Sequence, residues 1–184
     1  PTLIKRRFID GYSFNKLFEV YVMDDSGLPE NIDRMLCERI EKEISSYDLV
    51  IAADFGHGAI SDAMVNLLKK KANFLCVNTQ ANAGNRGFHA ASRYHHADYV
   101  CIAEHEARLE MRDLKTELRP LAYQMSKRLD CSRLVITCGK NGCAICDRDG
   151  EFMKVPSFTS NVVDRIGAGD AFLSITAGAA ALNA

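Results

Sequence analysis

Four short apolar runs separated by longer helical patterns constrain the fold more than any other feature of this chain. They are Leu49-Val50-Ile51-Ala52-Ala53, Phe74-Leu75-Cys76-Val77, Tyr99-Val100-Cys101-Ile102 and Leu134-Val135-Ile136-Thr137. The first reads as a strand buried on both faces, being short and continuously apolar, and the others have the same form. Residues 29–47 carry Ile32, Met35, Leu36, Ile40 and Ile44 at helical spacing. Ser61 is placed to cap a helix reaching about Lys71, residues 78–96 read as loop and short helix, and helical patterns follow over 104–114 and 119–129. Strands alternating with helices imply βαβ units. The expected fold is α/β, a doubly wound and mainly parallel sheet flanked by helices. Residues 1–10 and 17–23 read as two further strands near an Asp10-Gly11 turn, and 142–147 pairs with 152–155 as a hairpin around Arg148-Asp149-Gly150.

Sheets of this kind bind ligands beyond the carboxyl ends of their strands. Asp54, Asn78, Ala103 and Thr137 all follow strands and are expected on one edge. The segment Asp164-Arg165-Ile166-Gly167-Ala168-Gly169-Asp170-Ala171-Phe172 runs into a small, apolar stretch that reads as a buried helix. Gly-Ala-Gly then sits at a helix N-terminus, where unpartnered N–H groups and the helix dipole favour an anion. Asp170 puts a carboxylate at the same spot, which defeats simple anion binding. The combination makes sense for a phosphoryl group in transit, with the carboxylate taking a proton from the attacking hydroxyl. The plain alternative is a Gly-rich turn capping an Ala-rich helix.

Of the 184 residues, 47% are hydrophobic and 26% charged, so the chain is globular and long enough to bury a core. A net charge of −1 gives no electrostatic reason to expect nucleic acid or an anionic membrane surface. No apolar run approaches the roughly 20 residues that span a bilayer. The seven cysteines lie mostly in apolar strand-like segments, where they serve as small hydrophobes. A reducing, cytoplasmic setting is expected. Cys143-Ala144-Ile145-Cys146 has C-x-x-C spacing but no second pair to complete a zinc site, and it lies within a strand pattern.

The 164–170 segment resembles the Asp-Thr-x-Gly-Ala-Gly-Asp signature of the ribokinase-like, or PfkB, carbohydrate kinases, with Arg165 in place of Thr. Thr137-Cys138-Gly139-Lys140-Asn141-Gly142 is similar to the family's Thr-x-Gly-x-x-Gly nucleotide loop, about 30 residues before Gly-Ala-Gly. Ile102-Ala103-Glu104-His105-Glu106 resembles an Asn-x-x-Glu segment, with Ala103 replacing Asn and Glu106 matching the Glu. Its other reading is an acidic helix start. Val77-Asn78-Thr79-Gln80 stands where these kinases have Val-Asp-Pro-Lys. Thr2-Leu3-Ile4-Lys5-Arg6-Arg7 and Asp54-Phe55-Gly56-His57-Gly58 resemble segments of the heptose-7-phosphate kinase branch, with His57 where Lys is usual. Lys5 and Arg7 share a strand face and either clamp a sugar phosphate or charge an edge strand against aggregation.

The resemblance implies ATP and Mg²⁺ as cofactors and a sugar or sugar phosphate as acceptor. Asp170 would be the base, and the N–H groups of Gly167, Ala168 and Gly169 would hold the phosphoryl group. Thr137, Gly139, Gly142 and Asn78 would hold nucleotide, Glu106 would order the Mg²⁺ hydration shell, and Lys5, Arg7, Asp164 and Arg165 would face the acceptor. Asp164 and Arg165 are also similar to those of 2-keto-3-deoxygluconate kinases. The expected organisation is one incomplete kinase domain: lid and substrate strands over 1–25 and a nucleotide-binding core over 26–184. A homodimer and a fused nucleotidyltransferase domain outside this chain are further expectations. The alternatives are a non-catalytic nucleotide-binding or scaffold module and a dinucleotide-dependent oxidoreductase. The latter lacks G-x-G-x-x-G after the first strand of a βαβ unit.

Overall fold

The structure is a computed structural model that describes residues 3–12, 15–24, 26–158 and 167–183. Two strands, β1 (Ile4–Ile9) and β2 (Lys16–Val22), pair antiparallel into a small separate sheet. The main sheet has six strands: β3 (Val50–Asp54), β4 (Leu75–Thr79), β5 (Tyr99–Ala103), β6 (Arg133–Thr137), β7 (Cys143–Asp147) and β8 (Phe152–Val155), adjacent in that order. From β3 to β6 the pairing is parallel, and β7 and β8 close the sheet as an antiparallel hairpin.

The helices are α1 (Glu30–Glu43), α2 (Asp62–Lys71), α3 (Glu104–Met111), α4 (Leu118–Leu129) and α5 (Ala168–Ala181). Local chemistry sets their ends. The Ser61 hydroxyl accepts the Met64 N–H at 3.1 Å, Asp62 lies in the first turn of α2, and Lys69, Lys70 and Lys71 lie in its last, all favourable to the helix dipole. Helix α4 buries Leu121, Ala122, Met125, Ser126 and Leu129, one stripe at helical spacing. It ends where Asp130 turns left-handed at φ 49°.

Alternation along the strands divides the core in two. Val77, Val100, Ile102, Leu134 and Ile136 pack with Ala122, Met125, Leu129 and Tyr94 on one side. Cys76, Tyr99, Cys101, Val135 and Cys143 meet Leu173, Ala177 and Ala180 of α5 on the other. Helix α5 thus gives the sheet its second helical layer. The cysteines behave as core hydrophobes: burial pushes the Cys76 and Cys101 thiols up to about 12 and Cys131 to about 11. Cys143 and Cys146, three apart on β7, belong to opposite cores, and both are free.

The helix expected over 29–47 is present but lies at the surface, and the expectation that β3 is buried on both faces is corrected. Helix α1 has no buried residue and Met35 is 56% exposed, although Ile44 just beyond it is buried. The apolar stripe is there, but α1 packs beside α2 rather than under a second layer. Strand β3 is buried on one face only: Ala52 and Asp54 are covered, while Ile51 and Ala53 are exposed. Among the described residues β3 is one of the two edge strands of the sheet, and α5 covers β5 rather than β3.

Candidate active site

Parallel register brings the expected carboxyl-end residues into line. Ala53 pairs with Asn78, Asp54 with Thr79, and Ala103 with Thr137. Helix α5 packs against β5: the Tyr99 hydroxyl donates to Thr176 Oγ1 at 2.8 Å, and Leu173, Ala177 and Ala180 share a core with Tyr99 and Cys101.

At the start of α5 Gly167 adopts φ 76°, and the first helical bond runs from Ala171 N–H to the Gly167 carbonyl at 2.9 Å. The N–H groups of Ala168, Gly169 and Asp170 precede it and have no intrahelical partner. Among the described residues a Cβ at Gly167 or Gly169 would meet nothing within 4 Å. Asp170 is exposed, with no hydrogen bond or ion pair among the described residues. Asp164 and Arg165 lie outside the described residues.

The loop after β6 combines two roles. Gly139, at φ 56°, faces open space, whereas a Cβ at Gly142 would collide with the Val155 carbonyl. Gly142 is therefore required by the close passage of β8, and Gly139 is the glycine open to a ligand. Beside them lies a pocket of about 280 Å³ lined by Glu104, Leu118, Cys138, Asn141, Cys143 and Lys154. Thr137 is half-buried at the pocket's strand end.

Asn78 and Glu106 sit at the same edge with their polar atoms engaged. Asn78 Nδ2 donates to the Cys101 carbonyl at 2.7 Å. The Glu106 carboxylate accepts the Ala81 N–H at 3.0 Å and the Ala103 N–H at 2.8 Å. It therefore ties the loop after β4 to the start of α3.

The small β1–β2 sheet is amphipathic. Ile4, Phe8, Phe18, Val20 and Val22 form an exposed apolar face on which Phe8 and Phe18 stack at 4.4 Å between centroids. The opposite face carries Lys5 and Arg7 as expected, opposite Tyr21 and Glu19. Glu19 meets Arg7 at 2.6 Å, Lys16 at 3.4 Å and Lys5 at 3.7 Å. Burial opposes ionisation of Glu19, but the Arg7 guanidinium, the Tyr21 hydroxyl, Lys5 and Lys16 together lower it to about 2. Three cations surround one carboxylate, and the face keeps an excess of positive charge. Tyr21 stands edge-on to His57 at 5.6 Å, joining this face to the loop after β3.

One cluster had no sequence signal. Asp54 is 3% exposed, and its Oδ2 accepts from Arg93 at 2.6 Å and from the Tyr94 hydroxyl at 2.8 Å, with His89 Nε2 at 3.2 Å. Arg93 also touches His89 and donates to Asp62 at 2.8 Å and to the Ile60 carbonyl at 3.2 Å. It clamps both ends of the loop 55–61. The partners lie about 30 to 40 residues away in sequence, and only the folded register brings them together.

Comparison with known proteins agrees with this fold. Residues 22–183 match the pfkB family of carbohydrate kinases. The bifunctional protein HldE of Histophilus somni is 25% identical over 98% of this chain and 37% of its own length. HldE of Shewanella denitrificans is 24% identical over 77% of this chain and 29% of its own. The chain thus spans about a third of the curated relatives it matches. Phosphofructokinase-2 from Escherichia coli, solved with substrates and products, superposes with a TM-score of 0.74 at 17% identity, covering 98% of this chain and 58% of that one. Ribokinase from Thermotoga maritima gives 0.69 at 14% identity, covering 99% and 57%. These likenesses show the fold, and the match over residues 22–183 shows that the chain belongs to the pfkB family of carbohydrate kinases.

Proposed function

We propose that the protein containing this chain transfers the γ-phosphoryl group of ATP to a hydroxyl of a sugar phosphate. The observation that carries this is the start of α5, where N–H groups without intrahelical partners, open glycines and an Asp170 with no partner among the described residues coincide. Bound ATP would supply the phosphoryl group, with Mg²⁺ neutralising charge on its phosphates. The residues fit such a ligand: Gly139 leaves open space beside the 280 Å³ pocket, and Thr137 and Gly142 frame the same turn. The N–H groups at the start of α5 would bind the group in transit. Asp170 would accept the acceptor hydroxyl's proton. Glu106 and Asn78 would shape the edge by holding the loops, with Glu106 placed toward hydrated metal.

Lys5 and Arg7 would hold the acceptor. One carboxylate among three cations leaves charge for an anionic end, which favours a sugar phosphate over a neutral sugar. Heptose 7-phosphate is the first candidate, given the likeness to HldE, and a 2-keto-3-deoxy sugar acid is a second anionic acceptor to include. A nucleotide-binding module without turnover is the competing reading. It draws on Glu106, whose two oxygens are both taken by backbone N–H groups.

The test is ADP release by the full-length protein with ATP, Mg²⁺ and a panel of sugar phosphates, sugar acids and neutral sugars. Turnover selective for an anionic sugar supports the proposal. Nucleotide binding by calorimetry without turnover on any acceptor points to the module instead. In the same assay Arg7→Ala is expected to raise KM for the acceptor about tenfold or more, as loss of a charge-assisted contact would. KM for ATP is expected to stay nearly unchanged. A selective rise for ATP reverses the assignment.

A further inference from the structure

We propose that His57 determines acceptor specificity, with its Nδ1 accepting a hydrogen bond from a hydroxyl of the phosphorylated sugar; this rests on the kinase reading above. The argument starts from Asn82. Its Oδ1 accepts the backbone N–H groups of Gly84 at 2.9 Å and Asn85 at 3.1 Å. Its Nδ2 donates to the Phe55 carbonyl at 2.7 Å. Backbone N–H groups only donate and a carbonyl only accepts, so the amide has one admissible orientation. His57 Nε2 lies 3.3 Å from that same Oδ1. An amide oxygen offers no proton, so Nε2 must carry one. The neutral imidazole is then the Nε2–H tautomer, and Nδ1 is left as a bare acceptor. Among the described residues Nδ1 has no partner.

The ring is held from several sides. Tyr21 meets it edge-on at 5.6 Å, and the Phe55 ring lies near-parallel at 6.5 Å. Gly84 approaches so closely that a Cβ there would lie 3.3 Å from His57 Cδ2 and Nε2. Asn85, 8% exposed, locks the loop further by donating to the Phe55 and Gln80 carbonyls. An acceptor atom fixed in this way is preorganised and loses little entropy on binding. Its location supplies the ligand. Tyr21 lies on the cationic face of the small sheet, and Lys5 Nζ is 5.1 Å from the Tyr21 ring centre. His57 therefore lies under the face assigned to the acceptor, at the carboxyl end of β3. It can receive a sugar hydroxyl while the cations hold the phosphate. The loop 82–88 is the element that sets the tautomer.

Two substitutions separate the ring nitrogens in the full-length protein. His57→Gln keeps a donor near the Nε2 position, able to reach Asn82, and removes the Nδ1 acceptor. His57→Asn keeps an acceptor near Nδ1 and loses the tie to Asn82. We expect His57→Gln to raise KM for heptose 7-phosphate about three- to tenfold, the range for one lost hydrogen bond, with KM for ATP unchanged. His57→Asn should be the milder variant for acceptor KM. An acceptor KM for His57→Gln equal to that of the wild type overturns the proposal, because His57 would then serve Asn82 alone. If neither variant folds, ¹⁵N-histidine NMR of the wild-type protein decides. An Nε2–H signature whose Nδ1 resonance shifts on titration with heptose 7-phosphate, without ATP, supports the assignment. An Nδ1–H signature, or no shift with that sugar phosphate, overturns it. This titration needs no turnover, so a protein inactive with every acceptor would sink the kinase reading and leave this result to be read separately.

Discussion

Asp170→Asn in the full-length protein is expected to lower kcat by about 10²–10⁴-fold, the usual weight of a positioned general base. The substitution keeps size and hydrogen-bonding capacity and removes proton affinity. KM for ATP should change little, or fall slightly as a negative charge leaves the phosphate site. The location of Asp170 makes the experiment discriminating. It lies in the first turn of α5, beside N–H groups that have no intrahelical partner. A carboxylate there is placed to take the hydroxyl proton late in a loose phosphoryl-transfer transition state. Asp170 has no hydrogen bond or ion pair among the described residues, so it contributes no visible structural tie. Its neighbour in the cap is Gly167, which has no side chain to form one. If Asp170 only favours the helix start, Asn should support near-normal turnover with an unchanged melting temperature. Steady-state kinetics beside a thermal melt separate the cases, and preserved kcat would sink the mechanism.

The sheet was legible because buried parallel strands are short and apolar and the helices between them have another period. The runs at 75–77, 99–102 and 134–136 lie in β4, β5 and β6. Periodicity also located the face of α4. It also placed the helix α1, but the apolar run at β3 misjudged burial, which depends on what packs outside the strand and which no local pattern reports. The Gly-Ala-Gly-Asp turn was legible because it is contiguous, and so was the Thr137–Gly142 turn. The glycines within that second turn were not separable by sequence: Gly142 answers to the passage of β8 and Gly139 to open space. The face shared by Lys5 and Arg7 followed from strand period, but the Glu19 between them came from register across the hairpin. The Asp54 cluster and the Asn82–His57 lock join residues 25 to 40 apart. Their parts look like ordinary polar loop residues until the chain folds.

The clamp at Asp54 leads to the largest expected effect on stability. Arg93→Ala removes the cation that meets Asp54 Oδ2, in a carboxylate only 3% exposed. The Tyr94 hydroxyl and the Gly56 N–H still donate to it, at 2.8 and 3.0 Å, but the charge loses its full counter-ion. Breaking a buried pair from one side costs about 3–5 kcal/mol, which urea unfolding at neutral pH should register. Asp54→Asn together with Arg93→Met should recover much of this loss, since neither charge then stays buried alone. His89 adds a test of sign. In the wild-type protein burial lowers its pKa; Asp54 pulls it up and Arg93 pushes it down. The folded state then binds fewer protons than the unfolded chain. The His89 contribution is present above the ordinary His value of 6.5 and is lost as pH falls through the lower folded value. Removing Arg93 deletes a repelling cation and leaves Asp54 and Asp62 facing the ring. Its folded pKa should rise relative to the wild type. The variant then loses less of the His89 contribution than the wild type as pH falls. The stability gap between wild type and Arg93→Ala should therefore narrow as pH falls from about 8 to about 5.5. A gap that is constant or widens over that range would mean that His89 and Asp54 do not couple, and that Arg93 acts only through its contacts with Ile60 and Asp62.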